Sequence, residues 1–361
     1  MAKRRKNTYI FIPEKHRRSG HGFIRGLAML LIFAVLTVGV LNYIADHQLS
    51  YETIKVTVTA LPDDLENWTI LQFSDLHGRE LGERQGIIRN ALGNVHVSSI
   101  VFTGDMLGKD GDMAAMMDLL ALLPAETPKM LVPGDEDPNY LDAAPHGNVS
   151  ALADWAMTLT EAGVTILDRP VLFTRGKKNN ARIWFIPEYL YSLDLNGMET
   201  AYQNQLAGFG ANLTDTEAAQ KRVAEYQLTR VAEIRESIRA MEAGDIQIAV
   251  THTPISQQYA SEMVRDTDRS KVFSLRNTAL VLAGHNCAGQ WRIPGVGAIY
   301  SPDHGWFPDD RLLMGLDYLS GIPQYISPGL GASAAYLYMP GRLFNSPAVT
   351  CIALTSKISQ N

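Results

Sequence analysis

The residues best suited to chemistry in this sequence are acidic and histidine side chains that directly follow short apolar runs. Asp75 and His77 come first, at the end of residues 68–73. Residues i and i+2 of an extended segment face the same side, so this Asp and this His can hold one metal ion together. Alone the pair is weak evidence, but four further apolar runs end in the same way. The groups that follow them are Asp105, Asp135 with Glu136, His252, and His285 with Cys287.

This set of side chains favours a hydrolytic metal centre. Mixed carboxylate and imidazole ligands are typical of Mn, Fe or Zn at such centres. Seven or eight ligand groups are more than one ion can use. Two divalent ions about 3.5–4 Å apart, bridged by one carboxylate, fit the number and form a site for displacement at phosphorus.

The elements that must position these residues are strands and helices that alternate through the first half of the chain, with strands dominating the end. This order predicts a layered α/β fold with mixed sheets and helices outside. In open α/β sheets, ligand sites lie at the carboxyl ends of strands, where the groups above are expected. Thr214 and Glu217 predict a capping box that opens a long helix to Ala243. Residues 189–212 show no clear period and are interpreted as an insertion or lid.

The N-terminal part of the chain predicts a membrane anchor. Residues 23–45 contain one charged side chain, Arg25, and supply the roughly 20 apolar residues that cross a bilayer. The basic residues lie before this stretch, which predicts a cytoplasmic N-terminus and an extracytoplasmic main domain. A cleavable signal peptide is the alternative, but residues 43–45 do not form a typical cleavage site. We therefore expect a basic cytoplasmic tail (1–22), a single-pass transmembrane anchor (23–45) and a catalytic domain (46–361).

The charge of the chain is unevenly distributed. The net charge is −6, yet residues 1–45 carry eight basic side chains and one acidic one, which leaves −13 for the rest. A nucleic-acid surface needs clustered cations, so we expect no nucleic-acid partner for the main domain. The two cysteines, Cys287 and Cys351, do not make a disulfide framework.

The order of the motifs resembles one known family. D-x-H, G-D, P-G with two polar residues and D, H-x-P, and G-H-x-x-x-G-Q follow one another as in the calcineurin-like metallophosphoesterases, above all their membrane-tethered bacterial members. The resemblance covers roughly residues 54–354. It implies a sandwich of layered mixed β-sheets flanked by helices. It also implies that Asp75 and His77 bind a first metal ion, that Asp105 bridges both ions, and that Asp135, His252 and His285 bind the second.

Three residues in two of the motifs depart from the family pattern. Glu136 stands where the family has a His that steadies or protonates the leaving group, and it follows Asp135, which stands in place of an Asn ligand. A Glu acts as a general acid only if its pKa is raised, and two nearby dications lower it, so we do not expect Glu136 to replace that His. Cys287 replaces the last His of the family. Its thiolate can ligate Zn or Fe, and a small buried thiol beside a weakened site is the alternative.

The leading hypothesis is a metal-dependent phosphoesterase at the outer face of the cell membrane. It would hydrolyse a phosphomonoester or phosphodiester, derived from lipid or cell wall, with a hydroxide activated by two ions held over Asp105. The sequence does not identify the substrate-binding residues. The alternative is a degenerate family member that serves as a non-catalytic binding or scaffold module, for which Glu136 and Cys287 are the evidence.

Overall fold

The computed structural model describes residues 21–357 apart from 145–149, 177, 179, 267 and 337. The chain divides into two compact units, Met1–Tyr43 and Ile44–Asn361. The predicted basic tail lies almost wholly outside the described residues.

The N-terminal helix matches the predicted span. Helix α1 (His21–Asp46) contains an apolar stretch, Phe23–Asp46, with a mean hydropathy of 2.4. This stretch is not buried within the protein. By length and composition it can cross a membrane, and a signal sequence has the same properties. The Thr37 hydroxyl donates to the Phe33 carbonyl at 2.8 Å, so this polar group is satisfied within the helix itself.

Two six-stranded mixed sheets form the second unit, with strands numbered in chain order. In spatial order the first sheet contains β1 (Ser50–Thr57), β16 (Ala348–Thr355), β2 (Thr69–Phe73), β3 (Ser99–Phe102), β4 (Lys129–Leu131) and β5 (Val164–Ile166). The second contains β14 (Gly315–Leu319), β15 (Ile322–Ile326), β9 (Thr278–Ala283), β8 (Ile246–Val250), β7 (Ala181–Pro187) and β6 (Val171–Arg175). Strands β2 to β5 are parallel, as are β15, β9, β8 and β7.

Short elements complete the fold. Two small antiparallel pairs follow β9: β10 (Arg292–Ile293) with β11 (Gly297–Ala298), and β12 (Tyr300–Ser301) with β13 (Gly305–Trp306). The helices of this unit are α2 (Gly86–Leu92), α3 (Ala114–Leu120), α4 (Asp154–Glu161), α5 (Leu195–Ala207), α6 (Asp215–Ala240) and α7 (Gln257–Asp266).

The two sheets pack face to face. Ile70 and Val101 of the first sheet share a buried cluster with Phe185 and Ile248 of the second. The neighbour of Ile70, Leu71, belongs instead to the cluster that contains helices α2, α3 and α4. Because successive strand residues face opposite sides, one run of apolar residues fills both layers. The result is a four-layer arrangement of helices, sheet, sheet and helices, and the predicted fold class is confirmed.

Residues 189–212, for which the sequence shows no clear period, contain regular helical structure. A 3₁₀ turn (Glu188–Tyr191) precedes α5, which begins at the cap Asp194, whose carboxylate accepts from the backbone N–H of Asn196 and Gly197. No residue of α5 is buried, so its sequence lacks the apolar period that reveals a helix. Its function as a lid stays a prediction. The Thr214–Glu217 capping box is present, and α6 ends three residues before the predicted Ala243.

Candidate metal centre

The carboxyl ends of five strands meet at one edge of the sandwich. Strands β2, β3 and β4 come from the first sheet, and β8 and β9 come from the second. Every predicted site residue lies in the turns that follow these strands, and the structure brings them all together. They form three overlapping groups whose ligand atoms lie within 4.8 Å of one another.

The three groups share members. One contains Asp105, Asp135, His252 and His285, and each residue offers one nitrogen or oxygen. Another contains Asp75, His77 and Cys287, and a third contains His77, Asp105 and Glu136. Asp105 belongs to two of these groups, with Asp135, His252 and His285 in one and with His77 and Glu136 in the other.

Backbone strain is concentrated in this centre. Asp75, His77, Asp105, His285 and Cys287 all have positive φ, between 46° and 75°. Non-glycine residues rarely adopt this conformation, and it persists only where surrounding contacts enforce it. Here the N–H of Asp75 donates to the Gly104 carbonyl at 3.0 Å, and the N–H of His77 donates to that of Asp105 at 2.9 Å. The turns of β2 and β3 therefore hold each other in the strained conformation.

Asp105 is fixed by the neighbouring turn after β4. The N–H of Glu136 donates to its Oδ1 at 2.9 Å. A Cβ on Gly134 would lie 2.0 Å from the same oxygen, so only glycine allows this approach. The other oxygen, Oδ2, lies 3.2 Å from His252 Nε2 and 3.8 Å from His77 Nε2.

The three histidines are each oriented by an acceptor on one ring nitrogen. His252 Nδ1 donates to the Thr103 carbonyl at 2.7 Å, and its Nε2 faces the ligand group, 2.7 Å from Asp135 Oδ1. His77 Nδ1 lies 3.3 Å from the Glu136 carboxylate, and His285 Nε2 lies 2.8 Å from that of Asp303. Outer acceptors of this kind fix the tautomer of metal-binding histidines and raise their basicity.

Asp75 carries an oxygen that the protein leaves without a partner. The residue is fully buried, and its Oδ1 accepts from the N–H of His285 at 2.9 Å. Its Oδ2 is buried and has no hydrogen-bond partner among the described residues. An unsatisfied buried carboxylate oxygen is costly, and a cation beside it would remove the cost. The donor set and this oxygen both fit a metal ion.

The electrostatics of the centre also fit cations. Burial raises the pKa of Asp75 above its usual range. Burial alone would lower the pKa of His77, but its contacts with Cys287 and Glu136 raise it to about 11. The pKa of His252 is likewise raised to about 11, against the effect of burial, by Asp105 and Asp135. The carboxylates therefore create a field that favours positive charge at this place.

Glu136 and Cys287, two of the residues that depart from the family pattern, lie inside the centre. The hydrogen bond from His77, followed by one from the Ser333 hydroxyl, lowers the pKa of Glu136 to about 2, although burial opposes this. Glu136 is therefore an ionised carboxylate and is unsuited to protonate a leaving group. Cys287 is fully buried, its Sγ lies 3.7 Å from His77 Nε2, and burial raises the pKa of its thiol.

Sequence reasoning missed Asp303 and Ser333, which contact His285 and Glu136. Neither follows a predicted strand of the centre, so no pattern in the sequence points to them. Arg292 and Asn286 make structural contacts near the centre: Arg292 pairs with Asp310 at 2.6 Å, and Asn286 donates to the Leu312 carbonyl at 2.9 Å.

A sequence model of the calcineurin-like phosphoesterases matches residues 69–289, from β2 to the turn after β9. The chain belongs to this family. The resemblance drawn from the motifs is thereby confirmed, and the match contains every predicted site residue. No individual curated protein matches the sequence.

Two solved structures show distant likeness. The phosphopantetheinyl hydrolase PptH of Mycobacterium tuberculosis aligns with 78% of this chain and 95% of its own, at 14% identity and a TM-score of 0.36. Vps29 of Chaetomium thermophilum aligns with 39% of this chain and 57% of its own, at 16% identity and a TM-score of 0.19. Neither likeness bears on the substrate of this chain.

Proposed function

We propose that this protein is a metal-dependent phosphoesterase that hydrolyses a phosphomonoester or phosphodiester with two divalent ions. The observation that carries the proposal is the place of Asp105 in two ligand groups at once. A shared carboxylate between adjacent ligand sets is the arrangement of two-metal hydrolytic centres. Family membership supports the same reaction class.

The ligand groups divide into two sites. Asp75, His77 and Cys287 form one group and would hold the first ion, and Asp105, which shares another group with His77, would complete that site. Asp135, His252 and His285, again with Asp105, would hold the second. When bound, two ions of Mn, Fe or Zn supply an activated water for attack on phosphorus and neutralise charge that develops on the phosphoryl oxygens.

The protein's own residues orient these ligands. The Thr103 carbonyl and the Asp303 carboxylate set the ring positions of His252 and His285. Glu136 does the same for His77, so we assign it to orientation of that ligand and not to proton transfer to the leaving group. Asp75 is held by the backbone N–H of His285, which couples the turns after β2 and β9.

We also propose that the enzyme acts at the outer face of the cell membrane. Residues 1–22 would form a cytoplasmic tail, 23–45 the anchor and 46–361 the catalytic domain. The length and apolar character of α1 support the anchor, and the basic residues before it support the orientation. The substrate would then be a phosphoester derived from lipid or cell wall.

The test is hydrolysis of an aryl phosphodiester by the purified full chain with added manganese, beside an Asp105→Asn variant. We expect the wild type to hydrolyse the ester and the variant to show only the background rate. Elemental analysis should find two bound ions per chain in the wild type and fewer in the variant. A folded wild type that retains fewer than two ions and is no faster than Asp105→Asn would contradict the proposal. That result would favour the alternative of a non-catalytic binding module, to which the departures at Glu136 and Cys287 point.

A further inference from the structure

A cavity adjoins the metal centre where the carboxyl ends of β4, β5, β7 and β8 come together. It has a volume of about 380 Å³, and Asp135 and His252 lie on its inner side. A group bonded to a phosphate at the metal centre would therefore enter this cavity directly. We call it the tyrosine slot, after Tyr140 and Tyr189, which also line it.

The walls of the tyrosine slot are apolar and aromatic. Its remaining side chains include an aliphatic set, Val132, Pro133, Ile166 and Leu167. Tyr140 is half-buried, and 46% of Tyr189 is exposed, so the Tyr189 ring is open to a ligand. Burial raises the pKa of Tyr140 to about 12, and it raises that of Tyr189 further, so both phenols are neutral. Tyrosine rings offer large contact area with few rotatable bonds.

One acidic residue of the slot, Asp168, is neutralised by its neighbours. It is 4% exposed, and its carboxylate pairs with Arg230 at 2.9 Å and with Arg169 at 3.1 Å. The Tyr226 hydroxyl donates to it at 2.6 Å. With this charge compensated, the part of the slot beyond Asp135 and His252, which belong to the metal centre, presents no free charge from the residues that line it. A charged substrate group would lose its hydration there without a partner.

We propose that the tyrosine slot binds the organic group of the phosphoester and that this group is an uncharged ring, such as an aryl or nucleoside-like moiety. The inference rests on the proposed function, because the slot is defined by its position beside the metal-held phosphate. Concave sites with apolar and aromatic walls and a few polar groups at one end are typical for such ligands. Tyr189 and Tyr140 are then specificity-determining residues, and neither takes part in the reaction at phosphorus.

The test compares two phosphonates, whose P–C bond is not a hydrolysable ester. Phenylphosphonate and methylphosphonate are titrated into the manganese-loaded full chain by calorimetry. We expect phenylphosphonate to bind about tenfold more tightly, because its ring is buried in the slot. Tyr189→Ser and Tyr140→Ser should each reduce this ratio severalfold and leave methylphosphonate unchanged. Tyr189→Phe keeps the aromatic ring and should retain the affinity ratio. This variant therefore shows whether the effect of Tyr189→Ser comes from loss of the ring.

Tyr318→Ser is the matched control, because Tyr318 is 56% exposed and lines a different cavity. It should behave as the wild type. Equal affinity of the wild type for the two phosphonates would contradict the proposal that the tyrosine slot binds a ring, and it would leave the proposed phosphoesterase function unaffected. An unchanged ratio in both Ser variants would also contradict the proposal for the slot. If neither phosphonate binds, the result would contradict both the proposed ligand of the tyrosine slot and the proposed metal-dependent function.

Discussion

Each histidine of the metal centre has one ring nitrogen that faces an acceptor. For His252 that acceptor is the Thr103 carbonyl, and for His77 it is Glu136. Glu136 faces the imidazole of His77 and accepts from the Ser333 hydroxyl. We therefore expect Glu136 to orient His77 and not to act on a leaving group.

Glu136→Ala should weaken the first metal site. Loss of the outer acceptor frees the His77 ring, and such losses typically cost about 10- to 100-fold in metal affinity. Competition between the protein and a fluorescent chelator for zinc measures this directly. Ser333→Ala, which leaves the carboxylate in place, should show a smaller loss in the same direction. An unaltered zinc affinity in Glu136→Ala would exclude an orienting role.

Cys287 should ligate the first ion through its sulfur. With Co²⁺ bound, a thiolate ligand produces an intense near-ultraviolet absorption band, which oxygen and nitrogen ligands lack. We expect this band in the wild type and its loss in Cys287→Ser. Cys351→Ser is the matched control, because Cys351 is also free and buried but lies in β16, outside the ligand groups. A band that persists in Cys287→Ser would assign the thiol to packing.

At the scale of elements, the sequence predicts that the candidate ligands lie together because each of them follows an apolar strand. The adjacent apolar residues Ile70 and Leu71, with Phe73, indicate a strand with both faces buried, and parallel strands bring their ends to one edge. Helix α5 gives no such signal because none of its residues is buried. Asp303 lies between the two-residue strands β12 and β13, and it reaches His285 only through tertiary packing. The local sequence pattern therefore predicts the candidate ligands, whereas the residues that contact those ligands are found only from the folded structure.

The close packing of the turns after β3 and β4 predicts a strong effect at Gly134. In Gly134→Ala the new Cβ would meet the Asp105 backbone N at 2.3 Å as well as its Oδ1, so the turns must separate. We expect a loss of about 1–3 kcal/mol in the free energy of unfolding, together with weaker metal binding. Urea denaturation measures the first, and elemental analysis measures the second.

Gly86→Ala is the control for this experiment. Gly86 begins α2 with helical φ and ψ, and a Cβ there would meet nothing within 4 Å. Alanine should leave stability unchanged or raise it by about 0.4–1 kcal/mol. If the two variants were equally stable, the turns after β3 and β4 would have to be more adaptable than their contacts indicate.

At the scale of the whole molecule, opposite charges lie on either side of α1. Eight basic side chains precede residue 46 against one acidic, and the rest carries a net −13. An acidic domain repels anionic substrates, so attraction of a phosphoester depends on ions in the metal centre. The same asymmetry sets the expected orientation, because basic residues before a span stay on the cytoplasmic side.

Orientation and anchoring can be tested together in bacterial cells that produce the full chain. We expect the protein to stay in the membrane fraction after an alkaline wash, and its intact mass should include the N-terminal residues. Protease added outside spheroplasts should digest the domain after residue 45. Replacement of Lys3, Arg4, Arg5 and Lys6 by Gln removes half of the basic residues before residue 46, so it should increase the protected fraction. A soluble product that lacks the first 45 residues would identify α1 as a cleaved signal sequence. The domain would then be released from the membrane, and the main argument for a lipid-derived substrate would no longer hold.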